Sequence, residues 1–421
     1  MKSFFKKIIT SILIFESKLI LKKYKPEIIS ITGSVGKTST KDAIYTVLSD
    51  SVHIRKSEKS FNSELGVPLT ILGCQNGWND PIIWAQNILI GIELIFFKSE
   101  YPKCLVLEIG ADHPGDILSI SKWLKSDIVV ITKIGEVPVH VEAFPSIKDL
   151  IIEKSHLIKT LKDDGVLVLS TDDKEVVNLS KNIKQKCVSF GMKQLATVNA
   201  SDPSIVYDEK KVPVGMSFKL NVQGNSIQIK MNGILGIQQI YPVLAGIAVG
   251  IVKNIQLNKI IDSLDKYTSP KGRMNILKGI NGSIIIDDTY NSSPDALYEG
   301  LNTLASLQVS GKRIAVIGDM LELGSYSGDE HKKAGIQAMQ SCDILVTVGQ
   351  RSKAMSSTAI SFDNSIEAGE YLKGLVGIGD TIFVKGSQSM RMERVCKTLL
   401  EESEKAEELL VRQEPEWLAK K

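Results

Sequence analysis

Short apolar runs and stretches with a helical period alternate along most of the chain. In the first half, EIISITG, CLVLEIG, DIVVITKIG and GVLVLS are uniformly apolar at their centres, and helical stretches separate them, the first being Thr38–Leu48. Strands apolar on both faces are buried on both faces, so this pattern predicts a doubly wound, mostly parallel sheet flanked by helices. Residues 204–231 change period: GMSFKLNV and SIQIKMN alternate, which predicts a small antiparallel sheet. A helical run, IQQIYPVLAGIAVGIV, follows, and SPKGR, with Pro270 and Gly272, marks a linker. Beyond it IIIDDTY, RIAVIGD, ILVTVG and TIFVKGS predict four more buried strands with helices between them, a second α/β domain. The tail EESEKAEELL is expected to be a charged, solvated helix. The expected division is 1–26, 27–268 and 269–421.

Residues 1–26 behave differently. Apolar residues at Phe5, Ile8, Ile9, Ile12, Leu13 and Ile20 follow a helical period with lysines at both ends. The longest uncharged run, Ile8–Phe15, falls well short of the roughly 20 residues that span a bilayer. The segment is expected to be a helix that either packs on the body or lies on an anionic membrane surface. Residues 81–98, PIIWAQNILIGIELIFFK, are apolar apart from Gln86, Asn87, Glu93 and the final Lys98. They either pack on the first helix or share a membrane-facing patch with it.

Composition narrows the function classes. A chain of 421 residues holds two or three domains. The net charge is +3, yet residues 1–26 carry seven Lys against one Glu, so the rest of the chain is −3. A body without surplus positive charge is not expected to bind nucleic acid, which needs phosphate-neutralising charge over a broad surface. The five cysteines (74, 104, 187, 342, 396) are widely spaced with no C-x-x-C, which speaks against a disulfide framework or zinc cluster and fits a reducing cytosol.

Candidate chemistry begins at Gly33-Ser34-Val35-Gly36-Lys37-Thr38, which follows a strand and opens a helix. Glycines let backbone N–H groups approach a phosphate, a lysine pairs with its oxygens, and a threonine hydroxyl can ligate Mg²⁺. The loop is short, with Ile31 where the usual spacing has a first glycine. Glu108 ends the strand LVLEIG, with Asp112 and His113 just after it, and a carboxylate at such a strand end suits a Mg²⁺ ligand. By residue type alone, His140 is as well read as an ordinary core or surface histidine, and Lys154 as a solvated lysine.

Several blocks then occur in a fixed order over residues 28–400: TGSVGKTST, NSELGVPLT, EIGADHPGDI, IGEVPVHVEAF with a downstream EKSHLI, KGRM, IIIDDTYNSSPDAL, VIGDMLELG and VKGSQSMRMERV. Together they resemble the Mur ligases, and DDTYN-x-x-PD with GDMLELG resembles the branch that adds D-alanyl-D-alanine. The resemblance implies a P-loop central Mur ligase domain with a small antiparallel sheet and a C-terminal Rossmann-like domain. It implies an ATP-dependent ligase of peptidoglycan precursor synthesis: ATP phosphorylates a carboxylate of a muramoyl peptide, and the incoming amine displaces phosphate from the acyl phosphate. It further implies that Gly33, Ser34, Val35, Gly36, Lys37, Thr38, Ser39 and Asn62 hold the triphosphate, and that Asp288, Tyr290 and Asn291 hold adenine and ribose. Two Mg²⁺ ions are implied, one at Thr38 and Glu108, the other at His140 and a carbamylated Lys154. Lys37, Lys154, His140 and Arg273 carry the catalytic roles, with Arg273 reaching the γ-phosphate. The implied enzyme is cytoplasmic and monomeric, with the membrane contact of residues 1–26 and 81–98 left open.

Two departures from the family stand out. Relatives carry a uridine-binding domain ahead of the phosphate loop, where this sequence has only 26 residues, so the acceptor is expected to be gripped through its peptide. Where relatives place two nucleotide-contacting asparagines, this chain reads Gly236-Ile237-Gln238-Gln239-Ile240-Tyr241-Pro242. The alternative reading is a Mur-type ligase acting on another carboxylate, of the polyglutamate or cyanophycin kind. A non-catalytic nucleotide-binding protein would have no need of both metal sites.

Overall fold

A computed structural model describes residues 2–57, 61–193 and 195–419, and within this range the side chains of residues 2–5, Phe5 among them, lie outside the description. The chain forms two compact units. Unit 1 takes residues up to 134, 143–199 and 241–267; unit 2 takes 135–142, 200–240 and 268 onward.

Unit 1 is built on parallel strands β1 (Glu27–Thr32), β2 (Ile54–Lys56), β3 (Cys104–Glu108), β4 (Ser126–Ile131), β5 (Leu161–Ser170) and β6 (Lys186–Gly191), in the order β2-β3-β1-β4-β5-β6. The apolar runs make these strands, and β3 and most of β1 are buried along their length. Ile31 lies opposite Glu108, so the phosphate loop and the Glu108 carboxylate leave the sheet at the same edge. Helices α1 (Lys2–Tyr24), α2 (Lys37–Ser49), α3 (Gly66–Leu72), α4 (Pro81–Phe96), α5 (Asp116–Ser121), α6 (Ile147–Ser155), α7 (Lys174–Ser180), α8 (Ile240–Val252) and α9 (Leu257–Leu264) complete the elements that build it. Two glycines let α8 come close to α2. A methyl group at Gly246 would sit 3.1 Å from the Ala43 backbone, and one at Gly250 would sit 2.8 Å from Val47.

Helices α1 and α4 pack on each other, as one of the two expectations for residues 81–98 has it. Lys23 Nζ donates to the carbonyls of Leu94 (2.9 Å), Ile95 (3.1 Å) and Phe97 (2.5 Å), and Tyr24 Oη donates to that of Leu94 (3.0 Å). These bonds satisfy the last carbonyls of α4 and lock it to α1. Glu16 is buried against Gly91, where a methyl group would collide with its carboxylate. Among the described residues no helix is long and apolar enough to cross a membrane.

Strand β7 (Val198–Tyr207) pairs with β6 through its first two residues and carries the chain into unit 2. There β8 (Pro213–Val222) and β9 (Asn225–Asn232) form the antiparallel pair expected from the period-2 pattern. Their two-residue turn, Gln223-Gly224, has positive φ at both positions, 50° and 78°, the twist that suits a hairpin. The second sheet comprises β10 (Asn275–Lys278), β11 (Ile284–Asp288), β12 (Arg313–Gly318), β13 (Ile344–Val348), β14 (Ile360–Phe362) and β15 (Thr381–Lys385). Its order is β10-β11-β15-β12-β13-β14, parallel except for β10. Helices α10 (Pro294–Ser306), α11 (Ser327–Ser341), α12 (Ser365–Lys373) and α13 (Glu393–Leu399) pack with it.

The expected charged helix at the tail is not one helix. Residues 403–405 make a 3₁₀ turn and Ala406–Leu409 a single short turn of α-helix. Ala406 and Leu410 are buried in the core of unit 2, and Arg412 donates to Thr289 O (3.1 Å), so anchoring to the core overrides helical propensity.

Candidate functional site

The phosphate loop needs its glycines. Gly33 has φ 151°, and a Cβ there would run into Thr132 Oγ1; Gly36, the N-cap of α2, is left-handed at φ 86°. The amides of Ser34 (2.7 Å) and Val35 (3.1 Å) donate to the Lys133 carbonyl, which pins the loop to the chain leaving β4. The N–H groups that a phosphate would meet are therefore those opening α2, from Gly36 to Thr38.

Two lysines converge on one carbonyl. Lys37 Nζ lies 2.9 Å and Lys154 Nζ 3.0 Å from Gly33 O. Lys154 is 2% exposed; burial pushes its ammonium well below the ordinary lysine value, and the Lys37 charge pushes the same way. Helix α6 holds it there through its neighbour: Glu153 accepts from the amides of Gly115 (3.0 Å), Ile117 (2.7 Å) and Leu118 (2.9 Å), capping α5.

Thr38 Oγ1 donates to Glu108 Oε1 at 3.2 Å, and Asn62 Nδ2 lies 3.4 Å from the same oxygen. Glu108 Oε2 is buried with no hydrogen-bond partner. A buried carboxylate oxygen left over beside a threonine hydroxyl is the hard-oxygen set that Mg²⁺ takes, so these residues fit the ion. Among the described residues no three His, Cys, Asp or Glu side chains converge, so an ion here would complete its shell from phosphate oxygens and water. Ser39 is buried on α2, and its carbonyl accepts from Tyr267 Oη at 3.4 Å. Asp112 and His113 do not reach this cluster through their amides, which both donate to Asp116 Oδ2.

The other expected residues belong to unit 2. His140 sits at φ 69°, and its Nδ1 lies 2.8 Å from Glu322 Oε2, a contact that orients the ring. Arg273 stacks on the Tyr290 ring at 4.2 Å, and its Nε has no hydrogen-bond partner. Asp288 is buried with Lys385, whose Nζ donates to Asp288 Oδ2 (2.5 Å) and to the Asn291 carbonyl (2.9 Å). Burial lowers the Lys385 ammonium and Asp288 opposes the shift. A cavity of about 450 Å³ is lined by His140, Glu322, Asn291, Ser387, Arg391 and Trp417, among others.

Residues 31–250 match the model of the Mur ligase middle domain, and residues 272–388 that of the Mur ligase glutamate ligase domain. The chain belongs to the Mur ligase family. As a member it is an ATP-dependent, ADP-forming ligase that makes amide bonds. It is 30% identical to a UDP-N-acetylmuramoyl-tripeptide–D-alanyl-D-alanine ligase of Buchnera aphidicola, over 92% of this chain and 79% of the relative. With the Bacillus subtilis ligase of the same name it shares 28% identity, over 91% and 78% of the two chains. Its fold matches a MurF ligase of Thermotoga maritima in complex with ADP, with a TM-score of 0.77 at 24% identity, over 95% of this chain and 84% of that one.

The geometry of this Mur ligase adds residues that the sequence reading did not assign. Glu322 and Lys385 stand inside the blocks GDMLELG and VKGSQS, so order and spacing already pointed at them. Glu153 precedes Lys154 and carried no signal of its own. Lys41, one turn after Lys37, is fully buried, with Nζ on the Ser57 carbonyl (2.9 Å), and a lysine at such a core-facing position was the available clue.

Proposed function

We propose that this Mur ligase joins D-alanyl-D-alanine to the peptide carboxylate of a muramoyl tripeptide, forming ADP and phosphate. The observation that carries the assignment of the site is the meeting of Lys37 and Lys154 on the Gly33 carbonyl beside a half-used Glu108 carboxylate. The Lys37 ammonium, the buried Lys154 amine and an unpartnered carboxylate oxygen gather where a polyanion and its counter-ion would bind. The amides opening α2 and the Lys37 ammonium bind the phosphates of ATP and hold the γ-phosphoryl group in line with the acceptor carboxylate. Two Mg²⁺ ions would neutralise charge on the phosphates, with Thr38 and Glu108 holding one, and His140 and a carbamylated Lys154 holding the other.

Burial favours the neutral amine of Lys154, and that form adds to CO₂: the N–C bond forms, one proton leaves to solvent, and the remaining N–H still faces Gly33 O. Arg273, Asp288, Tyr290 and Asn291 bind the nucleotide and orient it. Transfer of the γ-phosphoryl group gives an acyl phosphate and ADP. The amine then attacks the acyl carbon, and phosphate leaves with the C–O bond electrons while the nitrogen gives up its extra proton to the departing phosphate or solvent. The cavity of unit 2 suits the dipeptide, because Asn291, Ser387 and Gln388 line it with hydrogen-bonding groups. The same reading places the enzyme in the cytoplasm as a monomer, with residues 1–26 and 81–98 toward the inner face of a membrane.

The test is mass spectrometry of products from UDP-muramoyl tripeptide, ATP and a choice of D-alanyl-D-alanine, D-alanine or L-glutamate. Extension by the dipeptide, with one ADP per amide bond, is expected, and Lys37→Ala should slow it roughly 10²-fold or more. Extension by glutamate in preference to the dipeptide would overturn the amine assignment.

A further inference from the structure

Helix α4 is packed inside out. The residues it buries are Asn87, Gly91 and Leu94, a stripe at helical spacing whose first member is polar. Ile82, Leu89, Ile92 and Phe96, at spacings of seven, three and four, occupy the opposite, exposed face. Phe15 of α1, Ile82, Leu89, Phe96 and the adjoining Phe97 are 62–76% exposed. Ile8 lies two turns before Phe15 on the same face of α1 and is also exposed. Ordinary surface helices turn such residues inward, and an apolar surface gathered on two packed helices marks a docking face.

Charge identifies the occupant. The described residues 6–25 and 76–100 expose seven lysines (6, 7, 18, 22, 23, 25 and 98) against the carboxylates of Asp80, Glu93 and Glu100. The remaining acid, Glu16, is buried beneath α4. Two copies of this face would bring like charges together, and neither helix can cross a bilayer. An anionic surface with an apolar layer beneath it satisfies both the lysines and the aromatic side chains.

We propose that α1 and α4 dock unit 1 on an anionic lipid bilayer. Helix α4 lies in the plane of the interface, with Ile82, Leu89, Ile92 and Phe96 below the headgroups and the lysines other than Lys23 among them. The Lys23 and Tyr24 bonds to the end of α4 hold the pair in one piece, so the face is formed before it meets lipid. None of these residues belongs to the phosphate-loop cluster, and the inference stands apart from the identity of the amine.

The full chain is to be sedimented with vesicles of equimolar phosphatidylglycerol and phosphatidylcholine, and with pure phosphatidylcholine, at about 0.1 M and about 1 M salt, where the Debye length falls from about 10 Å to about 3 Å. Binding is expected to anionic vesicles at the lower salt and to fall about tenfold or more with neutral lipid or high salt. The variant Leu89→Ser/Phe96→Ser/Phe97→Ser should lose binding about tenfold or more and keep the ATP turnover of the parent. Lys18→Glu/Lys22→Glu, at exposed positions, supplies a second reading should the first variant misfold, and should lose the salt-sensitive part. No binding to anionic vesicles at low salt overturns the proposal, as does undiminished binding of both variants. A dimer broken by the serine variant, without lipid binding, would assign the face to a second copy instead.

Discussion

The two units treat their buried charges in opposite ways. Unit 1 crowds like groups and leaves acids without partners: Lys37 and Lys154 share the Gly33 carbonyl, and Glu108 Oε2 and Glu16 Oε2 have no hydrogen-bond partner. Unit 2 mostly balances its buried charge internally, with Asp288 on Lys385, and Glu393 between Arg391 (2.6 Å) and Arg412 (2.9 Å). Arg273, with its unpartnered Nε, and Asp287, with its unpartnered Oδ2, are departures from that rule. Charges completed by the protein hold shape. Charges left incomplete wait for a ligand or are tolerated at a cost in stability, so substitution should separate the two kinds.

The largest effect is expected from Glu393→Ala. Its carboxylate is fully buried between two arginines, and breaking a buried pair by removing one partner costs about 3–5 kcal/mol. Urea unfolding of the full chain measures it, and an unmoved midpoint would break the claim that unit 2 is held by its ion pairs.

Lys154→Ala should do the reverse. Removal of a buried amine crowded against Lys37 leaves stability little changed, while turnover falls by roughly 10²-fold or more through loss of a ligand. Small carboxylates such as formate should restore part of it by filling the ligand position. Full activity without additive would remove the carbamate from the proposal.

The smallest effect concerns Glu16. Burial raises its carboxyl from 4.5 to about 7 in the folded protein. Between those values the folded state holds a proton that the unfolded state has released, so stability falls as pH rises through the window and is flat above it. Glu16→Gln should remove this fall. Melting temperatures of the two proteins at pH 5 and pH 8 test it, and an equal drop in both would assign the pH dependence to other groups.

What was legible in the sequence follows the same physics. Strands buried on both faces are uniformly apolar, so β1, β3 and β4 in unit 1 and β11, β12, β13 and β15 in unit 2 stood out, and alternation marked β8 and β9. The phosphate loop was visible because φ values such as those of Gly33 and Gly36 select glycine. The inward face of α4 was not legible: with apolar residues on every side, period alone cannot say which face is buried, and the polar Asn87 lies inside. Nor was the meeting of Lys154 with Lys37, which rests on a hydrogen bond from Lys154 to Gly33, 121 residues away. The tail misled because its charges favour a helix, whereas Ala406, Leu410 and Arg412 fasten it to the core.

The chain passes between the two units five times, at 134/135, 142/143, 199/200, 240/241 and 267/268. During synthesis this imposes an order of events. Helix α2 leaves the ribosome early, but α8, whose Gly246 and Gly250 fit against it, comes some two hundred residues later, and Tyr267, which bonds Ser39, comes last. At about 5–20 residues per second the apolar side of α2 stands open for on the order of 10 to 50 s. A nascent chain stopped at residue 199 would carry all six parallel strands of unit 1 and still lack the layer that seals them. Unit 1 therefore cannot be obtained by cutting the gene at a single linker, and a two-piece version of this enzyme would have to return 241–267 to the first piece.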